Sequence, residues 1–420
     1  MEKEEGCDVI RRILIRFACR SSERTIASSR RRVREREERS MGVSQHVRGG
    51  DLSNESGNRR DEKVMGNILK RPSCRIHGGS PGSKISAEAL KELGNERYKE
   101  GKFREALVMY DQAIALDGGK ANYRSNRSAA LIGLGRLLEA VSECKEAVRI
   151  DPIHKRAHSR LASLYIRLGE PEKALYHYHY AETVPEQVSR AEEMKKCLKR
   201  CKEARLASEW NKLLKETELA VSSGVDSSPQ VYAMKAEALL RMGRYQDSFE
   251  AYGKSPRFGV QSCAKLFGRR ATSHILTVQA LVYLTAGRFD AALVSAEEAS
   301  SIDPSNEEAN VAGSIVKGVV NASLNGDLQF NASKFWEACV MYSEGLIHDP
   351  YNPVLLCNRA ACFVKLKLFA KAMDDYTRAL VVQPNYSEAR RRRADCCVQM
   401  EKWEAAIKDY VFLENKNSKK

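Results

Sequence analysis

The sequence predicts an all-α fold in which helical hairpins stack into a solenoid. Small residues recur every 34 residues in three columns between positions 90 and 182, which is not expected by chance. Within each unit, large apolar residues lie at helical spacing on both sides of a glycine, a pattern that indicates helix, turn, helix. Alanines allow the second helix to pack closely. The columns are Gly101, Gly135 and Gly169; Ala106, Ala140 and Ala174; and Ala113, Ala147 and Ala181.

This period is typical of tetratricopeptide repeats (TPRs), so the predicted architecture is a superhelical TPR solenoid. Three regular repeats occupy 87–120, 121–154 and 155 to about 188, and a second regular block carries Phe335, Phe369 and Trp403 at the same spacing. Between them lie a charged linker helix, a weak unit containing Trp210, and two divergent units separated by a break with Gly259 and Gly268. The predicted domains are 1–84, 85–188, 189–305 and 306–420.

Composition narrows the class of protein. The chain has 420 residues, 43% of them hydrophobic, without the run of about 18 apolar residues that a membrane span needs. Its 12 cysteines show neither a paired framework nor zinc-ligand spacing, and Cys144, Cys357 and Cys362 fall at core columns. Reduced structural thiols in a cytoplasmic protein are therefore expected, with no metal and no cofactor.

The net charge of +15 is concentrated near the N-terminus. Residues 1–86 hold 20 Lys and Arg against 12 Asp and Glu, so this segment carries more than half of the excess. It is predicted to be a disordered basic tail, with a short helix near Arg31–Glu38. The segment IRRILIRFACR at 10–20 is basic and amphipathic, as in a targeting peptide or a membrane-surface helix, but flanking acidic residues favour a solvated tail.

Five polar residues are expected to line the concave face of the first three repeats. Lys and Arg side chains form charge-assisted hydrogen bonds with carboxylates, each contributing on the order of 1.5–3 kcal/mol, and Asn supplies both a donor and an acceptor. Such a set suits the two carboxylates of a peptide that ends in an acidic residue. The candidates are Lys91 and Asn95 one turn apart, Asn126, and Arg156 and Arg160 one turn apart.

All five positions, with the flanking SNRSAA and AHSRLASL sequences, resemble the dicarboxylate clamp of co-chaperone TPR domains. The resemblance implies binding of the C-terminal EEVD tails of the 70 and 90 kDa heat-shock chaperones. The alternative interpretation is that Lys91, Arg156 and Arg160 are ordinary solvated surface residues.

From Val64 onward the chain also resembles the plant TPR thioredoxin-like family, in segments such as VMGNILKR, LYIRLGEPEKAL and QVYAMKAEALLR. The resemblance implies a scaffold in stress or hormone signalling, with chaperone tails and other signalling proteins as partners. The sequence given stops at Lys420 and contains no WCxxC motif, so redox chemistry is not expected. The alternative is the recognition half of a TPR-thioredoxin-like protein, as a natural short form or a truncated product.

The equivalent positions of the last block are less favourable for an acidic tail. They hold Ser323, Asp327, Asn358, Glu388 and Arg392, and the two acidic residues would repel a carboxylate terminus. We therefore expect this C-terminal groove to bind an EEVD tail weakly, with Asn358 and Arg392 as its remaining candidates. For the run Arg390–Arg393, a solvated helix face is favoured over a dedicated site for an acidic partner.

Other patterns support no catalytic or metal site. His154 and His158 lie one turn apart but lack a third ligand, His177 and His179 are expected to diverge, and Cys197 and Cys201 share a helix in poor geometry for a disulfide. Phosphate loops and nucleophile elbows are missing, so a non-enzymatic adaptor is predicted. Nucleic-acid binding by the basic tail is not expected because the tail lacks interleaved aromatic residues, and membrane association is expected only indirectly.

Overall fold

The computed structural model describes residues 86–181 and 185–417, and the regular elements in these ranges are all α-helices. The predictions for the basic tail fall on residues outside these ranges. The helices are α1 (Ala87–Lys99), α2 (Phe103–Leu116), α3 (Ala121–Gly133), α4 (Leu137–Ile150), α5 (Lys155–Leu168), α6 (Pro171–Tyr180), α7 (Pro185–Leu206), α8 (Trp210–Ser222), α9 (Pro229–Arg241), α10 (Tyr245–Gly253), α11 (Val260–Phe267), α12 (Arg269–Thr285), α13 (Phe289–Ile302), α14 (Glu307–Asn331), α15 (Phe335–His348), α16 (Pro353–Lys365), α17 (Phe369–Val382), α18 (Ser387–Gln399) and α19 (Trp403–Asn417).

The three repeats of the first block correspond to the pairs α1/α2, α3/α4 and α5/α6. The end predicted for repeat three, near 188, lies inside α7, because α6 already ends at Tyr180. Each pair turns through a glycine in the left-handed backbone region, with φ of +75° at Gly101, +73° at Gly135 and +79° at Gly169. A residue without a Cβ atom adopts this conformation with little strain. In the later repeats, some of the equivalent turns carry a non-glycine residue at positive φ, for example Lys367 and Glu401.

The alanine columns form the contacts between helices. Ala106, Ala140 and Ala174 are completely buried, and each lies in the second helix of its pair. Ala181 differs from the rest of its column because it follows the end of α6 and is only partly buried. Small residues at these positions let neighbouring helices approach closely, and the core consists of several hydrophobic clusters along the chain.

The middle of the chain is more regular than the sequence suggested. The segment predicted as a charged linker helix is α7, which packs against α8 as the first helix of a pair through Leu198, Cys201 and Leu213. The predicted break at Gly259 and Gly268 contains a further helix, α11.

The inserted helix α11 contacts the first block of repeats. Leu266 and Phe267 pack against the hydrophobic cluster that contains Leu161 and Tyr165, and Lys173 Nζ donates a 2.9 Å hydrogen bond to the Leu266 carbonyl. Because its apolar residues cover a distant repeat, the insertion is part of the solenoid core.

The last block follows the prediction as the pairs α14/α15, α16/α17 and α18/α19. Residues 85–420 group as one compact unit, so the boundaries proposed at 188 and 305 stay predictions about repeat organisation. Among the described residues, no helix combines the length and the apolar character needed to cross a membrane. The nine cysteines within the described ranges are buried free thiols, and burial raises the pKa of Cys144 and of Cys357 to about 11.

A buried ionic network joins four helices at the centre of the chain. Arg205 on α7 donates to Glu237 on α9 at 2.7 Å and also pairs with Glu308 on α14, while His274 on α12 lies 2.9 Å from the Glu237 carboxylate. Burial alone would raise the pKa of Glu237, but His274 and Arg205 lower it to about 2. The ionised carboxylate is therefore stabilised in the folded state.

This network predicts a defined acid sensitivity. The pKa of Glu237 is near 4.3 in an unfolded chain and about 2 in the fold, so the pair's stabilisation is present above pH ~4 and is lost as the pH falls toward 2. We expect Glu237→Gln to reduce the free energy of unfolding at pH 7 by on the order of 2 kcal/mol and to flatten its decline below pH 4. Urea denaturation at several pH values measures both effects.

Glu308→Gln is the matched control, because this partner of Arg205 is 62% exposed and should contribute less than about 1 kcal/mol. An unchanged acid dependence in Glu237→Gln would contradict the assignment.

Candidate peptide-binding groove

The two predicted asparagines are in direct contact across neighbouring repeats. Asn126 Nδ2 on α3 donates a 3.0 Å hydrogen bond to Asn95 Oδ1 on α1. The Tyr110 hydroxyl on α2 donates to the same oxygen at 2.9 Å. Two donors from different helices therefore fix the orientation of the Asn95 amide.

Arg160 is anchored beside this pair. Its guanidinium donates to both the carbonyl and the hydroxyl of Ser125, the residue that precedes Asn126. Burial lowers the pKa of Arg160, and the nearby charge of Arg156 lowers it further. Arg156 itself is exposed, and none of the ion pairs found among the described residues involves it. The two arginines thus place one partly buried and one exposed cation on α5.

Lys91 is held between two carboxylates of its own helix. Its ammonium pairs with Glu88 and, at 2.5 Å, with Glu92, and these hydrogen bonds raise the pKa of Lys91. Glu92 also accepts a 3.1 Å hydrogen bond from Asn95 Nδ2. The Glu88 and Glu92 side chains are 63% and 61% exposed, whereas Lys91 is only 15% exposed. The largely buried side chain of Lys91 is therefore paired with two carboxylates that are mostly exposed to solvent.

These contacts connect four of the five predicted residues. Lys91, Glu92, Asn95 and Asn126 form a continuous chain of polar contacts, and Arg160 joins it through Ser125. The fifth residue, Arg156, is near enough for its charge to act on Arg160. The set combines cations with a hydrogen-bonded amide pair, and these groups can donate hydrogen bonds to carboxylates.

Residues that position the groove were missed in the sequence. Burial raises the pKa of Tyr110 to about 12, so its hydroxyl remains a proton donor at neutral pH. Its ring lies against Gly94, where an added Cβ atom would come within 2.6 Å of Tyr110 Cε1. The glycine at Gly94, directly before Asn95, could have indicated this contact in the sequence, since a glycine inside a helix often marks close packing.

The C-terminal groove, defined by Ser323, Asp327, Asn358, Glu388 and Arg392, has different chemistry. Ser323 is buried, and Asp327 accepts a 2.7 Å hydrogen bond from the Tyr342 hydroxyl. Arg392 is paired with Glu388 at 2.7 Å. Its one matching cation is thus already engaged, and weak EEVD binding remains our prediction for this groove.

The expectation of a solvated face for Arg390–Arg393 is wrong for the two outer residues. Arg390 and Arg393 both bind the carboxylate of Asp409, which is buried beneath them, at 3.0 and 2.7 Å. Because burying an unpaired carboxylate is costly, these arginines stabilise the helix pair α18/α19.

The histidines also have structural partners. His154 caps α5 by accepting a hydrogen bond from the Ala157 amide, and His158 is buried with its Nδ1 atom 3.0 Å from Nδ1 of His177. Burial, and then the charge of His158, lower the pKa of His177 to about 4. Within the described ranges, no cluster of three or more His, Cys, Asp or Glu side chains could hold a metal ion.

Comparison with known proteins agrees with the fold. Residues 91–153 and 273–298 match the tetratricopeptide-repeat family. The Arabidopsis thaliana protein named inactive TPR repeat-containing thioredoxin TTL3 is 45% identical over 325 residues, which cover 74% of this chain and 47% of the relative. The TPR repeat-containing thioredoxin TTL4 from the same plant is 42% identical over 356 residues, covering 83% and 52%. The chain belongs with these plant TPR repeat-containing thioredoxins.

The predicted family resemblance is thus confirmed, and the chain spans about half the length of these relatives. The mouse DnaJ homolog subfamily C member 7 is more distant, at 26% identity over 344 residues, covering 78% of this chain and 66% of the relative. Among solved structures, the TPR domain of P58(IPK) aligns with a TM-score of 0.52 at 15% identity and covers 77% of this chain and 91% of that domain. At this identity the structural match supports the TPR fold alone.

The contact between Gly94 and Tyr110 leads to a stability prediction. In Gly94→Ala the new methyl group would displace the Tyr110 ring, and we expect a loss of about 1–2 kcal/mol in the free energy of unfolding. Gly253→Ala is the control, because a Cβ atom at this helical glycine meets no neighbour within 4 Å. Chemical denaturation should show the control at or above wild-type stability. Equal stability of the two variants would contradict the contact.

Proposed function

We propose that the protein is a non-enzymatic TPR adaptor that binds the acidic C-terminal tails of heat-shock chaperones in its first groove. The observation that carries the proposal is the connected set of contacts running from Lys91 through Asn95 and Asn126 to the anchored Arg160. The resemblance to the dicarboxylate clamp supplies the ligand class, a tail ending in EEVD from the 70 and 90 kDa chaperones.

In this proposal the terminal aspartate binds between the cations and the amides. Its backbone and side-chain carboxylates accept hydrogen bonds from Lys91 and the two asparagines, while Arg156 and Arg160 contact the acidic residues that precede it. Arg160 is already fixed by Ser125, so little side-chain entropy is lost when it binds the ligand. Affinity in the micromolar range, about 8 kcal/mol, is ordinary for a ligand of this size.

Binding requires Lys91 to exchange its partners. In the free protein the lysine pairs with Glu88 and Glu92, whose exposure makes these contacts weak. A ligand carboxylate that approaches Lys91 therefore replaces weak pairs, and the two glutamates oppose it through like charge. The local acidity therefore lowers the affinity of Lys91 for a carboxylate ligand.

The wider role that we propose is a cytoplasmic scaffold. One groove docks a chaperone tail, and the remaining repeats contact signalling proteins in plant stress or hormone responses. The kinship with plant TPR repeat-containing thioredoxins supports this role.

Calorimetry with a free-acid peptide ending in EEVD tests the proposal. We expect Lys91→Ala and Arg160→Ala to weaken binding by tenfold or more, because each removes a charge-assisted hydrogen bond. Arg104→Ala on α2 is the charge-matched control and should bind like wild type, since Arg104 is exposed and is not one of the groove residues. Amidation of the peptide C-terminus should also abolish most of the binding. Equal affinity for the amidated peptide would refute the proposal.

A substitution in the opposite direction gives an independent test. We expect Glu92→Gln to strengthen binding of the same peptide several-fold at low ionic strength, because it removes a competing carboxylate from Lys91. The gain should shrink at high salt, where exposed charges are screened. Isothermal titration at two salt concentrations measures both, and unchanged affinity would contradict the partner exchange at Lys91.

A further inference from the structure

The last block contains a cavity next to the C-terminal groove, and the two share Arg392. We call it the lysine groove; its cavity of about 570 Å³ lies among α14, α16, α17 and α18. This volume falls within the range of about 300–1,000 Å³ that is usual for small-ligand pockets. The lining includes two phenylalanines, Phe330 and Phe369, the cations Lys365, Lys367 and Arg392, and one carboxylate, Asp395. Asp395 accepts a hydrogen bond from the Tyr410 hydroxyl, and burial raises the pKa of its carboxyl group.

Part of the wall of the lysine groove is apolar. Phe330 at the end of α14 and Phe369 at the start of α17 are both partly buried, and Val364 lies between them in sequence on α16. All three also pack against the large hydrophobic cluster of this block, so their positions are fixed by the core. A cavity with such walls can accept one apolar or aromatic side chain.

Its rim carries two exposed cations. Lys365 ends α16 and Lys367 lies in the turn that follows, and both line the cavity. The ion pairs found among the described residues include neither lysine. The turn position of Lys367 is occupied by a glycine in each repeat of the first block, at Gly101, Gly135 and Gly169, so the second lysine is an addition of this block.

The backbone at Lys367 has the turn conformation of the repeat, which the non-glycine residues Ser333 and Glu401 also adopt. Its φ is +60°, in the left-handed region that glycine occupies in the turns of the first block. A non-glycine residue is uncommon there and strains the backbone. A lysine at this position places a charged side chain beside the cavity at some expense of stability.

The charge distribution selects the form of the ligand. Asp327 and Glu388 of the last block are equivalent to Asn95 and Arg156 of the first groove. Their negative charges repel a free carboxylate terminus. Arg392 is held by Glu388. Lys365 and Lys367 are therefore the lining cations that can attract an anion, and together they outnumber the single lining carboxylate, Asp395.

We propose that the lysine groove binds an internal acidic segment of a partner protein, with an aromatic or large apolar side chain between Phe330 and Phe369 and flanking carboxylates on Lys365 and Lys367. The groove does not require a free C-terminus. The protein then has two peptide sites of different specificity, and this second site is independent of the chaperone-tail proposal.

A capped peptide tests the lysine groove in the full chain. The probe is a fluorescently labelled peptide with the sequence DEFED, acetylated and amidated so that it has no terminal charges, measured by fluorescence anisotropy. We expect saturable binding that weakens with salt, and at least tenfold lower affinity for Lys365→Glu combined with Lys367→Glu. The peptide DEAED, which lacks the aromatic side chain, should bind at least tenfold more weakly. Equal binding by DEAED or by the double variant would overturn the proposal.

The variant Lys367→Gly tests whether the lysine side chain contributes to peptide binding without destabilising the fold. Glycine adopts the positive φ without strain, so the thermal unfolding midpoint should be unchanged or higher, while affinity for DEFED should fall about threefold or more. Glu401→Gly, at the equivalent turn with φ of +58°, is the matched control and should leave DEFED affinity unchanged. A Lys367→Gly variant that binds DEFED like wild type would count against the rim lysines.

Arg160→Ala distinguishes the two grooves. It should weaken the EEVD peptide and leave DEFED affinity unchanged. Loss of DEFED binding in this variant would place the peptide in the first groove and refute a second site. Failure of the EEVD peptide with retained DEFED binding would instead refute only the chaperone-tail proposal.

Discussion

The contact of a buried tyrosine ring with a small residue of the preceding helix organises both the core and the groove. Tyr110 packs on Gly94 and Tyr342 packs on Gly326, where an added Cβ atom would come within 2.6 and 2.4 Å of the ring. Because a buried ring still needs a partner for its hydroxyl, each tyrosine reaches the polar residue that follows the glycine. Helix packing and groove chemistry therefore depend on the same contact.

That contact gives opposite results in the two regular blocks. Tyr110 orients the Asn95 amide, whereas Tyr342 and Tyr410 donate to Asp327 and Asp395. An amide is neutral and can bind a carboxylate, while a carboxylate at the same place repels one. The same packing arrangement therefore ends in a neutral residue in the first block and in an acidic residue in the last block.

The parts of the structure that were predictable from the sequence are those set by local repetition. Gly101 and Ala106 recur in register, so the hairpins and the side of the solenoid that carries Lys91 and Asn95 follow from spacing alone. The docking of α11 onto the first block was not predictable, because its contacts join residues far apart in sequence. The sequence shows that Glu88 and Glu92 lie close to Lys91 along α1. Only the side-chain conformations show that both carboxylates pair with the Lys91 ammonium.

The arginine run shows why a count of charges does not identify a binding surface. Arg393 pairs with Asp409 sixteen residues later, and the same spacing joins Arg127 to Glu143 and Arg359 to Asp375. These pairs cross from the first to the second helix of a repeat, so their cations neutralise partly or fully buried acids and attract a ligand only weakly. A cation is available to an acidic ligand when its present ion pair is exposed and therefore weak, as at Lys91. It is also available when the described residues include no acidic partner for it, as at Lys367. By this criterion the most basic stretch of the C-terminal block is a structural element, and the proposed binding surfaces are the two grooves.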